Sequence, residues 1–70
     1  MKSMVSPLET RLAAFLRAKR GKLTYLEFAH KLHVTASSVF RIENCQQSVT
    51  LRSLERILKR LDCTVDDVFQ

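Results

Sequence analysis

Apolar residues along this chain recur three and four apart, and cap-forming residues divide them into five blocks. Leu8, Leu12, Phe15 and Leu16 make the first stripe, and Ser6-Pro7 ahead of it reads as an N-cap followed by proline at the first helical position. This helix ends near Arg20-Gly21, at the only glycine in the chain. Thr24 stands three residues before Glu27, the spacing of a capping box in which hydroxyl and carboxylate each satisfy an orphan amide. Phe28, Ala29 and Leu32 supply the buried face of that second helix, and His33-Val34 interrupts it. Thr35 caps a third helix running to about Asn44, with Val39 and Ile42 inward. Cys45 to Val49 is a polar connection without an apolar period. Thr50 then caps a fourth helix with a broad stripe of Leu51, Leu54, Ile57, Leu58 and Leu61. Thr64, three residues before Asp67, opens a last short helix closed by Val65, Val68 and Phe69. No strand alternation or internal repeat interrupts the pattern, which predicts an all-α fold, a compact five-helix bundle with short turns.

Length and composition narrow the function classes. Seventy residues are expected to form one domain over residues 1–70, with residues 1–6 as a flexible N-terminal segment. A domain of this size buries only about 60% of its unfolded surface, so its stability is marginal or helped by a partner. No apolar stretch approaches the roughly 20 residues of a membrane span. Met1 to Val5 carries Lys2 but no signal-peptide core, so a cytoplasmic location is expected. Cys45 and Cys63 are too few for a disulfide scaffold. With His30 and His33 they make a zinc site conceivable, but there is no Cys-x-x-Cys pair and the cysteines lie on different elements, so neither metal nor cofactor is expected. No nucleophile–base or paired-carboxylate constellation and no phosphate-cradling glycine loop is present, which argues against an enzyme.

Charge adds a direction. Residues 1–33 hold Lys2, Arg11, Arg17, Lys19, Arg20, Lys22 and Lys31 against Glu9 and Glu27, so the whole net charge of +5 lies in that half. Such a half is either a solvated face or the footprint of a phosphate backbone.

The second and third helices, Thr24–Leu32 and Thr35–Asn44, joined by a short turn, match a helix-turn-helix. That geometry alone is common, but the segments LRAKRGKLTYLEFAHKLHVTASSVFRIEN and TLRSLERILKRLDCTVDDVF extend the match. From Leu16 to Phe69 the chain resembles the lambda-repressor/Cro-like helix-turn-helix family, also called the Xre family. The family pattern that it resembles has an Arg in helix 1, Thr or Ser before helix 2, Leu-Ala within it, Val-Ser or Val-Thr in the turn, Ile-Ser-x-Ile-Glu in the recognition helix, and a closing Asp-containing helix ending in Phe. The resemblance implies a lambda-repressor-like DNA-binding fold and a transcriptional regulator of double-stranded DNA, a repressor working as a homodimer on two half-sites.

It also implies roles for particular residues. Arg17 and Glu43 occupy positions where relatives pair helix 1 with the end of helix 3, a structural pair that would fix the recognition helix. With Val39 and Ile42 inward, Ala36, Ser37, Phe40 and Arg41 form the opposite face, which in this family enters the major groove and contacts bases. Arg41 suits guanine O6 and N7, although a phosphate clamp or a solvated charge fits as well. Ser37 suits a base or a phosphate. Ala36 and Phe40 suit thymine methyls, while an outward Phe equally marks a protein contact. Backbone contacts fall to Tyr25, at a position where relatives often carry Gln, to Thr35 and Ser38 at the start of the recognition helix, and to Asn44, Gln46 and Gln47 in the following loop. Arg20 and Lys22 are further phosphate candidates.

The chain departs from the family pattern at several points. His33, Cys45 and Asp62 stand where the family often has Gly, so those turns are strained or differ by a residue. One extra residue lies between Arg17 and Thr24. Tyr25, Leu26 and Phe40 put apolar groups near the expected DNA face, and they motivate an alternative function as a protein-interaction module or antitoxin-like partner.

Overall fold

The computed structural model describes residues 7–69, and the expectations for Ser6 and for residues 1–6 lie outside the described residues. Five helices follow in order: α1 (Pro7–Arg20), α2 (Tyr25–Leu32), α3 (Ala36–Glu43), α4 (Leu51–Leu61) and α5 (Val65–Phe69). The described residues contain no strand. Threonines start the helices as their spacing predicts. The Thr24 hydroxyl accepts the Glu27 amide at 3.0 Å, and Glu27 Oε1 accepts the Thr24 amide at 2.9 Å, a complete capping box. Thr35 accepts the Ser38 amide at 3.1 Å and Thr50 the Ser53 amide at 3.0 Å. At the start of α5 the Thr64 amide donates to Asp67 Oδ2 at 2.7 Å.

Every helix contributes to one core. Leu12, Ala13 and Leu16 of α1 meet Phe28, Ala29 and Leu32 of α2, Val39 and Ile42 of α3, Leu54, Ile57 and Leu58 of α4, and Val68 of α5. The pairing follows: α2 packs on α3, α1 lies across α3 and α5, and α4 backs α2. Three apolar residues expected inside stand out instead, with Leu8 at 62%, Leu51 at 85% and Val65 at 55% exposure. All three fall in the first turn of their helices, where the apolar stripe overhangs the end of the core.

The helix ends explain the missing glycines. His33, Cys45 and Asp62 have φ of 60°, 57° and 58°, so these turns keep the left-handed backbone and accept its strain. Each is the left-handed residue of a Schellman motif. Its own amide and the next bond back to the last turn: His33 to His30 and Val34 to Ala29, Cys45 to Ile42 and Gln46 to Arg41, Asp62 to Lys59 and Cys63 to Leu58. His and Asp tolerate this backbone better than Cys does. The Cys45 thiol gains only a weak 3.9 Å contact with the Glu9 carbonyl. Cys45→Gly is therefore expected to stabilise the domain by about 0.5–1 kcal/mol, read as a higher urea midpoint at unchanged slope. A lower midpoint would mean that the side chain contributes more by packing than the backbone loses by strain.

Candidate nucleic-acid interface

The packing of α2 on α3 leaves one shallow depression on the outer side of the helix-turn-helix. Tyr25 from the first turn of α2, Ala36, Ser37, Phe40 and Arg41 from α3, and Gln46 from the following loop line it. The four residues expected to face bases thus share one concavity. They differ in exposure: Ser37 and Arg41 are exposed, Phe40 is 44% exposed, and Ala36 is half-buried with its methyl against the core. Ala36 therefore presents less surface than an outward stripe implies, because it is the first residue of α3 and sits under the turn from α2.

The residues expected to meet the DNA backbone fall in three places. Tyr25 and Gln46 line the depression itself. Thr35, Ser38 and Gln47 form a hydroxyl network beside it: Thr35 Oγ1 donates to Ser38 Oγ at 3.1 Å, and Gln47 Nε2 reaches the same oxygen at 3.4 Å. Asn44 Nδ2 donates to the Phe40 carbonyl at 2.8 Å, closing the end of α3.

Arg17 and Glu43 do meet, and Arg20 joins them as the partner of the carboxylate. The carboxylate of Glu43, only 1% exposed, is bound by Arg20: Arg20 Nε lies 2.8 Å from Glu43 Oε2 and Arg20 Nη2 3.1 Å from Oε1. This is a two-pronged contact, reinforced by Arg20 Nη1 donating to the Leu23 carbonyl at 2.9 Å. Arg17 also touches Glu43, but at its main-chain carbonyl. Arg17 and Arg20 lie three apart on one face of α1, so both reach Glu43 at the end of α3. Arg20 is consequently a framework residue. Its hydrogen bond to Glu43, with that carboxylate's charge added, holds the guanidinium above its ordinary range against partial burial, so it stays charged.

Arg20 does a second thing. Its guanidinium carbon lies 4.3 Å from the centre of the Tyr25 ring, and Tyr25 meets Phe40 edge-on at 5.4 Å and 84°. A continuous stack therefore runs from the buried carboxylate through Arg20 and Tyr25 to the exposed ring of Phe40. No single position in the sequence signals this stack.

Among the described residues no group of three or more His, Cys, Asp or Glu could hold a metal ion. No helix there is long and apolar enough to cross a membrane.

Two short helices packed at a tight turn, the second presenting an outward face beside the first turn of the other, define a helix-turn-helix domain. Residues 16–68 match the helix-turn-helix family, and the chain belongs to it, in its Xre/lambda-repressor-like form, a DNA-binding domain type of transcription regulators. No curated protein and no solved structure matches the chain.

Proposed function

We propose that this protein is a sequence-specific regulator of double-stranded DNA, a repressor that binds two half-sites as a homodimer through the outer face of α3. The observation that carries this reading is the depression in which Ser37, Arg41 and Gln46 offer polar groups between Ala36 and Phe40. Arg41 reads a base, guanine by its paired donors, and the hydroxyl network of Thr35 and Ser38 lies against phosphate. Occupancy alone blocks a promoter, so repression needs nothing beyond binding. Arg41→Ala is expected to weaken binding to a selected operator about tenfold to a hundredfold and to relax one base position, measured by fluorescence anisotropy. Binding of the native chain to random genomic fragments no tighter than to bulk DNA overturns the reading.

The dimer contact belongs to a second patch, around the start of α4. Leu51 stands between two apolar hollows, one floored by Leu54, Leu58, Cys63 and Val65 and the other by Leu8, Leu12, Ile42 and Phe69. A knob beside a hollow is self-complementary across a two-fold axis. The first hollow is rimmed by Arg52, Lys59 and Glu55, charges of both signs that pair across the same axis. Val65 belongs to this patch, whereas Val68 is 5% exposed and Phe69 half-buried, so α5 gives its first residue to a partner and its last turn to the core.

A second reading rests on Leu26, 60% exposed on α2, which with Phe40 suits a protein seated on this face. An untagged partner that co-purifies with the native chain and is lost in Phe40→Ala supports it. Loss of site-specific DNA binding in Arg41→Ala with the fold intact counts against it.

A further inference from the structure

We infer that Phe40 is a specificity-determining residue that reads a pyrimidine 5-methyl group in the major groove, beside the base read by Arg41. The inference rests on the proposed DNA-binding function and deepens it.

The argument begins with what immobilises the ring. Phe40 is 44% exposed, so part of its ring is open to a ligand. It is held edge-on against Tyr25 at 5.4 Å, and Tyr25 is clamped under Arg20 at 4.3 Å. Arg20 is fixed in turn by the Glu43 carboxylate, at 2.8 Å and 3.1 Å. An exposed ring normally has rotamers to lose on binding; here the stack restricts them before DNA arrives.

The surroundings select the group it meets. In the depression Phe40 adjoins the Ala36 methyl, and the polar side chains lie around them, Ser37, Arg41 and Gln46. Ring and methyl offer no donor or acceptor. A base edge facing them with N4, N6 or N7 gives up its water and receives nothing, which is unfavourable. The apolar group on a base edge in the major groove is the 5-methyl of thymine, and 5-methylcytosine carries the same group. The adjoining base belongs to Arg41, the next residue along α3.

The test uses the full chain and an operator selected from randomised duplex DNA. Each thymine is replaced singly by deoxyuridine, which removes the methyl and leaves the hydrogen-bonding edge unchanged. One thymine per half-site is expected to lose about fourfold in affinity on replacement, the worth of one buried methyl-sized group. In Phe40→Ala, checked for native helix content by circular dichroism, the same replacement is expected to change affinity by less than about 1.5-fold, because the methyl then has no partner. Cytosine and 5-methylcytosine compared at that position are expected to differ by the same factor of about four. Whichever of thymine and 5-methylcytosine binds tighter there identifies the natural source of the methyl. Deoxyuridine replacements that are all neutral in the native chain overturn the inference, as does a loss that persists undiminished in Phe40→Ala. A selection that enriches no duplex overturns the regulator reading itself, and this inference with it.

Discussion

Arg20→Ala is expected to abolish the cooperative unfolding transition at room temperature, whereas Arg17→Ala lowers its midpoint without abolishing it. The two arginines lie one turn apart and both touch Glu43, but at different atoms. Arg20 holds a carboxylate whose side chain is 1% exposed, and its removal leaves that charge buried without its ion-pair partner. Removing one partner of a buried pair generally costs about 3–5 kcal/mol. A core of this size rarely supplies more than about that much in total. Arg17 contributes one part-buried hydrogen bond to a main-chain carbonyl, and a bond from a charged donor contributes about 1.5–3 kcal/mol, less than the loss of a buried pair. Glu43→Gln should fall between the two, since the amide still accepts one bond and Arg20, 19% exposed, can reach water. Urea unfolding followed by circular dichroism checks the order. Equal losses in Arg17→Ala and Arg20→Ala would show that the main-chain contact matters as much as the carboxylate contact. The double variant Arg20→Met with Glu43→Leu supplies a sharper check. Apolar replacement of both partners often restores stability, so this protein is expected to fold. It still loses the support under Tyr25 and Phe40, and thus separates holding the domain together from presenting the reading face.

The helices were legible because each announces itself locally. Thr24, Thr35, Thr50 and Thr64 stand immediately before apolar periods, and a cap is decided within four residues. The left-handed turns were legible only through the family resemblance, since nothing in His33, Cys45 or Asp62 by itself demands a positive φ. What the pattern misplaced is tertiary. Periodicity puts Leu8 and Leu51 on the apolar side of their helices but cannot say where the core ends along the axis. It puts Arg17 and Arg20 on one face and cannot say how far α1 slides past α3. The candidate site follows the same division. The outward face of α3 is a matter of helical spacing and was read directly. The coupling of Tyr25 to Phe40 depends on the angle at which α2 meets α3, so two apolar residues that looked like separate anomalies are one stack.

The second large effect concerns assembly. Leu51→Glu is expected to lower operator affinity at least about a hundredfold at nanomolar protein while leaving the fold intact. One recognition helix spans few base pairs, and joining two of them makes the second contact effectively intramolecular, which raises avidity by about 10²–10⁴. Leu51 is 85% exposed, so its side chain contributes almost nothing to the core of the monomer. It is also the first residue of α4, where a carboxylate lies near free amides and the positive end of the helix, so glutamate there is favourable or neutral for the fold. In a two-fold contact the same substitution places two carboxylates against apolar hollows, one on each side of the axis, where burying a charge is costly. The expected signature is therefore specific. The unfolding midpoint is unchanged or slightly raised, the sedimenting species becomes monomeric, and binding to a single half-site at high protein concentration equals that of the native chain. Only the full operator loses, because only there does the native protein act as a pair. Undiminished operator binding by a Leu51→Glu protein that still sediments as a dimer would move the interface off this patch. A native chain that is monomeric and binds full and half operators equally would remove the dimer from the proposal while leaving the reading face of α3 in place.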